Sequence, residues 1–167
     1  EGVTSKIIDP LFDKLKKEII PIANSLKDNN LKELDIRLND SDSLSFSKFL
    51  LDYIGFDNTR GALGIYTHGY TMKLNSNDVR ITFENGNPIN AISTIVHEGG
   101  HGIFDPNIGK NLVEYGCYDV GKFSLHESQS RFYENILGRR KSFFVPIFDE
   151  IKKRLDLDIN LDDFIYL

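Results

Sequence analysis

Two histidines one helical turn apart, with a glutamate directly after the first, are the residues of this chain best equipped for chemistry. They lie in Ser93-Thr94-Ile95-Val96-His97-Glu98-Gly99-Gly100-His101. On an α-helix, residues i and i+4 share a face, so His97 and His101 can aim their imidazoles at one point. That supplies two of the three protein ligands a catalytic zinc needs. Glu98, one step around the helix, falls beside the open coordination position, where it can act as general base on a metal-bound water. The bland reading is a pair of core or surface histidines on an apolar helix.

A second stretch, Ser124-Leu125-His126-Glu127-Ser128-Gln129-Ser130-Arg131-Phe132-Tyr133-Glu134-Asn135, offers a third ligand. Glu127 stands 26 positions beyond His101, room for a connecting loop and a returning helix. Two structural readings stay open beside the ligand role. Ser124 and Glu127 have the spacing of a capping box, and Glu127 with Arg131 has that of an i,i+4 ion pair. His126 or Tyr133, next to Glu127, is placed to stabilise an oxyanion.

The elements that must hold these residues can be read around them. Asn87-Pro88 is an N-cap with proline at the first helical position. Ile89, Ile92, Ile95 and Val96 follow at helical spacing, and Asp105-Pro106 stops the helix near Phe104. Gly99 and Gly100 each cost about 1 kcal/mol relative to alanine inside a helix, so close approach of the Glu127 helix is expected there. Leu125, Phe132, Ile136 and Leu137 predict the apolar side of that second helix. Residues 107–123 read as a loop with one helical turn near 112–115.

Upstream, Thr4 or Asp9 caps an amphipathic helix lined by Leu11, Leu15, Ile19, Ile22 and Leu26, with Pro21 expected to kink or split it. A short helix is expected over 31–38 and another over 45–54, stopped by Gly55. Residues 28–30 and 39–42 read as connections. Then β-type sequence appears, extended over 64–67 and alternating over 79–83, with Asn85-Gly86 as a turn. An edge strand beside a metal can hold an extended peptide, with Arg80 and His68 facing it. An ordinary hairpin with an exposed arginine explains the same residues. Downstream, Phe143, Phe144, Ile147, Phe148, Ile151 and Leu155 form a helical stripe, and Asn160 caps a last short helix.

A chain of 167 residues suits one domain with a sizeable core. A net charge of −5 gives no reason to expect nucleic acid or an anionic membrane as partner. The single cysteine, Cys117, cannot form an internal disulfide, which fits a reducing compartment. No signal peptide or membrane span is visible. The chain starts at Glu1 and stops on apolar Phe164-Ile165-Tyr166-Leu167, so it reads as a processed piece of a larger fold.

His97-Glu98-Gly99-Gly100-His101, then His126-Glu127-Ser128-Gln129-Ser130-Arg131 and Glu134-Asn135, resembles the M32 metallocarboxypeptidases (the Taq carboxypeptidase family), which carry H-E-x-G-H and H-E-S-Q-S-R-x-W-E-N. Asp78-Val79-Arg80-Ile81-Thr82 matches the family's D-x-R-x-T. The segment Gly55-Phe56-Asp57 with Arg60-Gly61 is similar too. The resemblance implies a mainly α fold with a small β-sheet, a zincin-like metallopeptidase core. It implies zinc, or cobalt, on His97, His101 and Glu127, with Glu98 and His126 catalytic and Arg80, His68 and Arg131 toward substrate. It also implies release of C-terminal amino acids from peptides by a cytoplasmic homodimer. Tyr133 replaces the usual tryptophan, Phe83-Glu84-Asn85 alters the sequence after D-x-R-x-T, and His68-Gly69-Tyr70 stands for H-P-F. The chain is expected to be the central metal-binding part, residues 1–167, of a longer catalytic domain. A related zinc oligoendopeptidase and a non-catalytic metal-binding fragment are the alternatives.

Overall fold

Contacts divide the molecule into two units, Glu1–Glu33 and Leu34–Leu167. The computed structural model describes residues 3–26, 34–117 and 122–167. In the first unit, α1 (Ser5–Ser25) follows an extended Thr4 and runs through both Pro10 and Pro21. The split expected at Pro21 does not occur. The one amide donor lost there falls in the last turns, and the backbone stays helical to Ser25.

The second unit begins with an extended stretch where part of a helix was expected. Residues 31–33 of that expected helix lie outside the described residues, and residues 34–38 are not helical. Leu34 offers its carbonyl to the side-chain amide of Asn87, and Asn39 caps the next helix. Its side chain accepts from the Asp42 amide, and Asp40 and Asp42 fill the first turn of α2 (Asp40–Ile54). The helix thus starts five residues before the expected boundary, inside the stretch read as a connection. It ends as expected at Gly55, which takes the left-handed conformation at φ 91°.

A three-stranded sheet follows, in the order β1-β3-β2. β1 (Gly61–Ile65) runs parallel to β3 (Asp78–Phe83), and β2 (Tyr70–Asn75) pairs with β3 antiparallel. Val79, Ile81 and Phe83 bury one face of β3. β2 had no apolar signal on its inner side. Thr71 and Lys73 point inward, while Tyr70, Met72 and Leu74 are exposed, the reverse of the usual alternation.

α3 (Pro88–Phe104) is the central helix, capped by the Asn87 side chain on the Ile89 amide and ending before a 3-10 turn at Asp105–Asn107. Ile92, Ile95 and Val96 join Phe46, Leu50 and Leu51 of α2 and the inner face of β3 in the core. α4 (Lys110–Glu114) is the short turn expected in the connection. α5 (Lys122–Arg131) then lies against α3 and runs into a π-helical turn, Phe132–Leu137. The stripe expected to bury α5 is on its outside, since Leu125, Phe132 and Ile136 are each nearly half exposed. Ser130, fully buried, and Glu134 face inward instead. The single stripe of the tail is two helices, α6 (Lys141–Phe144) and α7 (Phe148–Leu155), separated at Val145-Pro146-Ile147 because proline cannot donate within a helix. Asn160 caps α8 (Leu161–Ile165).

A side chain on residue 100 would place its Cβ 2.8 Å from the backbone Cα of Ser130. Gly100 therefore sets how closely α5 approaches α3. Gly99 makes a different contact from the one expected: its α-carbon faces Ile54 and Leu51 of α2. Gly100→Val should push α5 off α3 and cost about 2–3 kcal/mol. A denaturant midpoint equal to that of the wild type would show that the two helices are not in register-fixing contact.

Candidate metal centre

The i,i+4 spacing on α3 brings the His97 and His101 rings edge to face, with centroids 4.9 Å apart. From α5, the Oε2 atom of Glu127 lies 3.3 Å from His101 Nε2 and 3.8 Å from His97 Nε2. Four-coordinate zinc bonds of about 2.0–2.1 Å separate neighbouring ligand atoms by about 3.3–3.4 Å, so these spacings suit one small ion. Among the described residues this is the only group of three or more His, Cys, Asp or Glu side chains converging in that way, with ligand atoms within 4.8 Å of one another. The donor set, two imidazoles and a carboxylate, fits a catalytic zinc or cobalt ion and leaves a coordination position for water or substrate.

Each of these three side chains is held from behind. His97 Nδ1 donates to Glu134 Oε2 at 2.8 Å, which leaves Nε2 bare to face the centre. Glu134 also accepts from Ser93 Oγ at 3.0 Å and from Arg131 at 3.1 Å. Arg131 Nε donates to Glu127 Oε1 at 2.8 Å, fixing the carboxylate so that Oε2 is free for the centre. His101 Nδ1 lies 2.6 Å from His126 Nδ1, and His126 Nε2 lies 3.0 Å from Asp105 Oδ1. Glu134 lies seven positions, two helical turns, beyond Glu127 and so on the same face; the π turn that contains it is closed by a bond from the Gly138 amide to the Tyr133 carbonyl at 2.7 Å.

Glu98 is buried, at 8 % relative exposure, and receives the Thr71 hydroxyl at 2.7 Å from β2. Burial raises its pKa above the ordinary carboxylate value, with the Thr71 bond and the charges of His97 and His68 pulling partly back. For Glu127, Asp105 and Glu134, burial pushes the same way but is outweighed. The Arg131 bond lowers Glu127, His126 lowers Asp105, and His97 with Ser93 lowers Glu134. Glu98 thus differs in direction from the carboxylates around it. It opens onto a cleft of about 920 Å³, walled by β2 from Tyr70 to Asn75, by His101, Phe104 and Asp105, and by His126 and Glu127.

The family model of the carboxypeptidase Taq (M32) metallopeptidases matches residues 1–166. The chain belongs to the M32 family. It is 34 % identical to carboxypeptidase 1 of Bacillus subtilis over 98 % of its own length and 34 % of that protein's, and 28 % identical to thermostable carboxypeptidase 1 of Pyrococcus furiosus over 93 % and 33 %. The BsuCP crystal structure superposes with a TM-score of 0.87 at 34 % identity, covering 98 % of this chain and 35 % of that one. The Apo-Mg carboxypeptidase structure of P. furiosus gives 0.80 at 26 % identity, covering 99 % and 36 %. The chain thus spans about a third of the length of the relatives it matches. The mainly helical fold with one small sheet is that of the M32 proteins.

Against the expectations for an M32 site, His97, His101, Glu127, Glu98, His126 and Arg131 are brought together, and His68 lines the same cleft. Arg131 braces Glu127 and Glu134. Arg80 is not brought in. It alternates with buried Val79 and Ile81, so it lies on the other face of β3, where it makes a two-bond pair with Asp78. The capping box at Ser124 does not form, because α5 begins at Lys122 and places Ser124 inside the helix. The i,i+4 pair with Arg131 does form, alongside the convergence on His97 and His101. Thr71, Lys73, Asp105 and Glu134 were missed as contributors. Thr71 and Lys73 sat on an unforeseen strand, Asp105 read only as a helix stop, and Glu134 stood only within the family motif, although its i,i+7 spacing from Glu127 puts it on the same helix face. No helix among the described residues is long and apolar enough to cross a membrane.

Burial pushes the His101 imidazole down to about 4, and nearby His126 and His97 push it the same way. An unfolded histidine titrates near ~6.5. Between those values the unfolded chain binds more protons, so stability present above ~6.5 is lost as the pH falls towards the folded value. After metal removal by a chelator, wild type should lose more stability than His101→Gln on acidification from about pH 7 to about pH 4, by on the order of 2–3 kcal/mol at most. Urea midpoints at the two ends measure it, and parallel losses in both proteins would contradict a neutral, desolvated His101.

Proposed function

We propose that this chain carries the catalytic centre of a metallocarboxypeptidase that releases C-terminal amino acids from peptides. The observation behind this reading is the convergence of His97, His101 and Glu127 on one point beside a buried Glu98 at the wall of an open cleft. Membership of the M32 family and the names of its relatives, which are carboxypeptidases, support it.

Zinc is the ion best matched to two imidazoles and a carboxylate, with cobalt as the alternative. When bound, it supplies Lewis acidity, lowering the pKa of water and polarising the scissile carbonyl. The rest falls to the chain's own groups. Glu98 accepts the proton of the attacking water and later hands it to the leaving amine. Its low exposure and raised pKa suit a group that must both take and return a proton. The Thr71 hydroxyl holds the carboxylate on the β2 side, where the edge strand could take an extended peptide as one more strand. The same reading has the enzyme acting in the cytoplasm as a homodimer, in keeping with an exposed Cys117 thiol.

Glu98→Gln should retain its metal and lower kcat by about 10²–10⁴. Peptides with a free C-terminus should be cut one residue at a time, while their C-terminal amides should not be cut. Equal cleavage of the amidated peptides would replace this reading with an endopeptidase of related fold, and full activity in Glu98→Gln would remove Glu98 as the base.

A further inference from the structure

The donors and acceptors around His126 form a directed chain. Asp105 Oδ1 lies 3.0 Å from His126 Nε2, and His126 Nδ1 lies 2.6 Å from His101 Nδ1. A carboxylate can only accept, so His126 Nε2 must carry a hydrogen. A neutral His126 then has a bare Nδ1, which can only accept, and His101 must donate from Nδ1. That leaves His101 Nε2 without a hydrogen, on the side where Glu127 Oε2 lies 3.3 Å away. The opposite polarity would set a bare Nε2 against the carboxylate and put a hydrogen on the nitrogen needed for a metal.

We propose that Asp105 and His126 are positioning residues that fix His101 in the tautomer able to ligate metal. This deepens the reading of the centre and rests on it. The surroundings hold the chain of bonds in place. Asp105 is buried and its Oδ1 also accepts from Lys73 Nζ of β2 at 3.2 Å. The Phe104 ring packs against His126 with centroids 4.8 Å apart, and His126 stacks on His101 at 4.8 Å. Both nitrogens of His126 are engaged, so it has no N–H to offer an oxyanion, the role its place in the sequence suggests. His97 has one carboxylate directly behind it, whereas His101 has a carboxylate behind it at one remove. The two ligands are thereby set to the same tautomer by different means.

The test reads hydrogen positions and zinc affinity, not turnover. Nitrogen-15 spectra of the imidazoles of the zinc-loaded full chain should show hydrogen on His126 Nε2 and His101 Nδ1 and none on His126 Nδ1. Hydrogens on both nitrogens of His126 would overturn the proposal. Zinc dissociation constants, from competition with a chromogenic chelator, should rise about 10–100-fold in Asp105→Asn, because the amide can turn its N–H toward His126 and reverse both tautomers. His126→Phe leaves Asp105 with Lys73 and should weaken zinc similarly. Adding Asp105→Asn to His126→Phe should then cost no more, since the two act in series. Wild-type zinc uptake with an unchanged Asp105→Asn, or independent losses in the double variant, would overturn the relay and leave the centre standing. Failure of the wild type to take up zinc would overturn both.

Discussion

The backbone of Ser130 occupies the space that a side chain on residue 100 would fill, and the centre depends on that approach. With α5 this close to α3, Glu127 reaches the nitrogens of two histidines on another helix, Glu134 reaches the back of His97, and His126 reaches the back of His101. A glycine inside a helix is a local cost. Here the cost is offset by a helix contact from which ligand, braces and relay all follow. The other side of α3 packs on α2 and on the inner face of β3, so the histidine helix is gripped by apolar contact on one side and by polar contact on the other.

That division explains how the sequence could be read. Apolar periodicity marks surfaces that bury without water, and it located α3 and the strand over 79–83, while capping chemistry located the stop at Gly55 and the cap at Asn160. Periodicity misled wherever the inward face is polar. β2 turns Thr71 and Lys73 inward, and α5 with the π turn after it turns Ser130 and Glu134 inward, while Tyr70, Met72, Leu74, Leu125, Phe132 and Ile136 face out. At those places the usual rule is inverted because the polar groups are partnered: Thr71, Lys73 and Glu134 bond to other elements, and Ser130 bonds to the Glu127 carbonyl of its own helix. The start of α2 was missed for another reason: Asn39 and the aspartates after it have turn chemistry, and the same chemistry caps a helix. The convergence of His97, His101 and Glu127 was legible from spacing on α3 and from the resemblance for Glu127. The braces were not, because Thr71 and Lys73 lie on a strand without an apolar inner face and Asp105 has the local sequence of a helix stop.

Four carboxylates surround the centre, and their neighbours sort them into roles. Glu127 and Glu134 share Arg131 and point at the histidines. Asp105 is held by Lys73 and His126. Each has an opposite charge or hydrogen-bond donor that keeps it ionised. Glu98 has the hydroxyl of Thr71 and a buried setting, and its pKa moves up instead. Four carboxyl groups within one cleft are thus given different electrostatic settings by their neighbours alone, which the proposed reading uses as ligand, braces and base.

The chemistry of this centre requires that His97, His101 and Glu127 jointly hold one metal ion. Elemental analysis of tightly bound metal per chain, in wild type and in Glu127→Ala, tests this most directly. About one ion in the wild type with a large loss in the variant is the expected result, since removal of one of three protein ligands leaves too few to retain the ion. Equal metal content in the two proteins would contradict it.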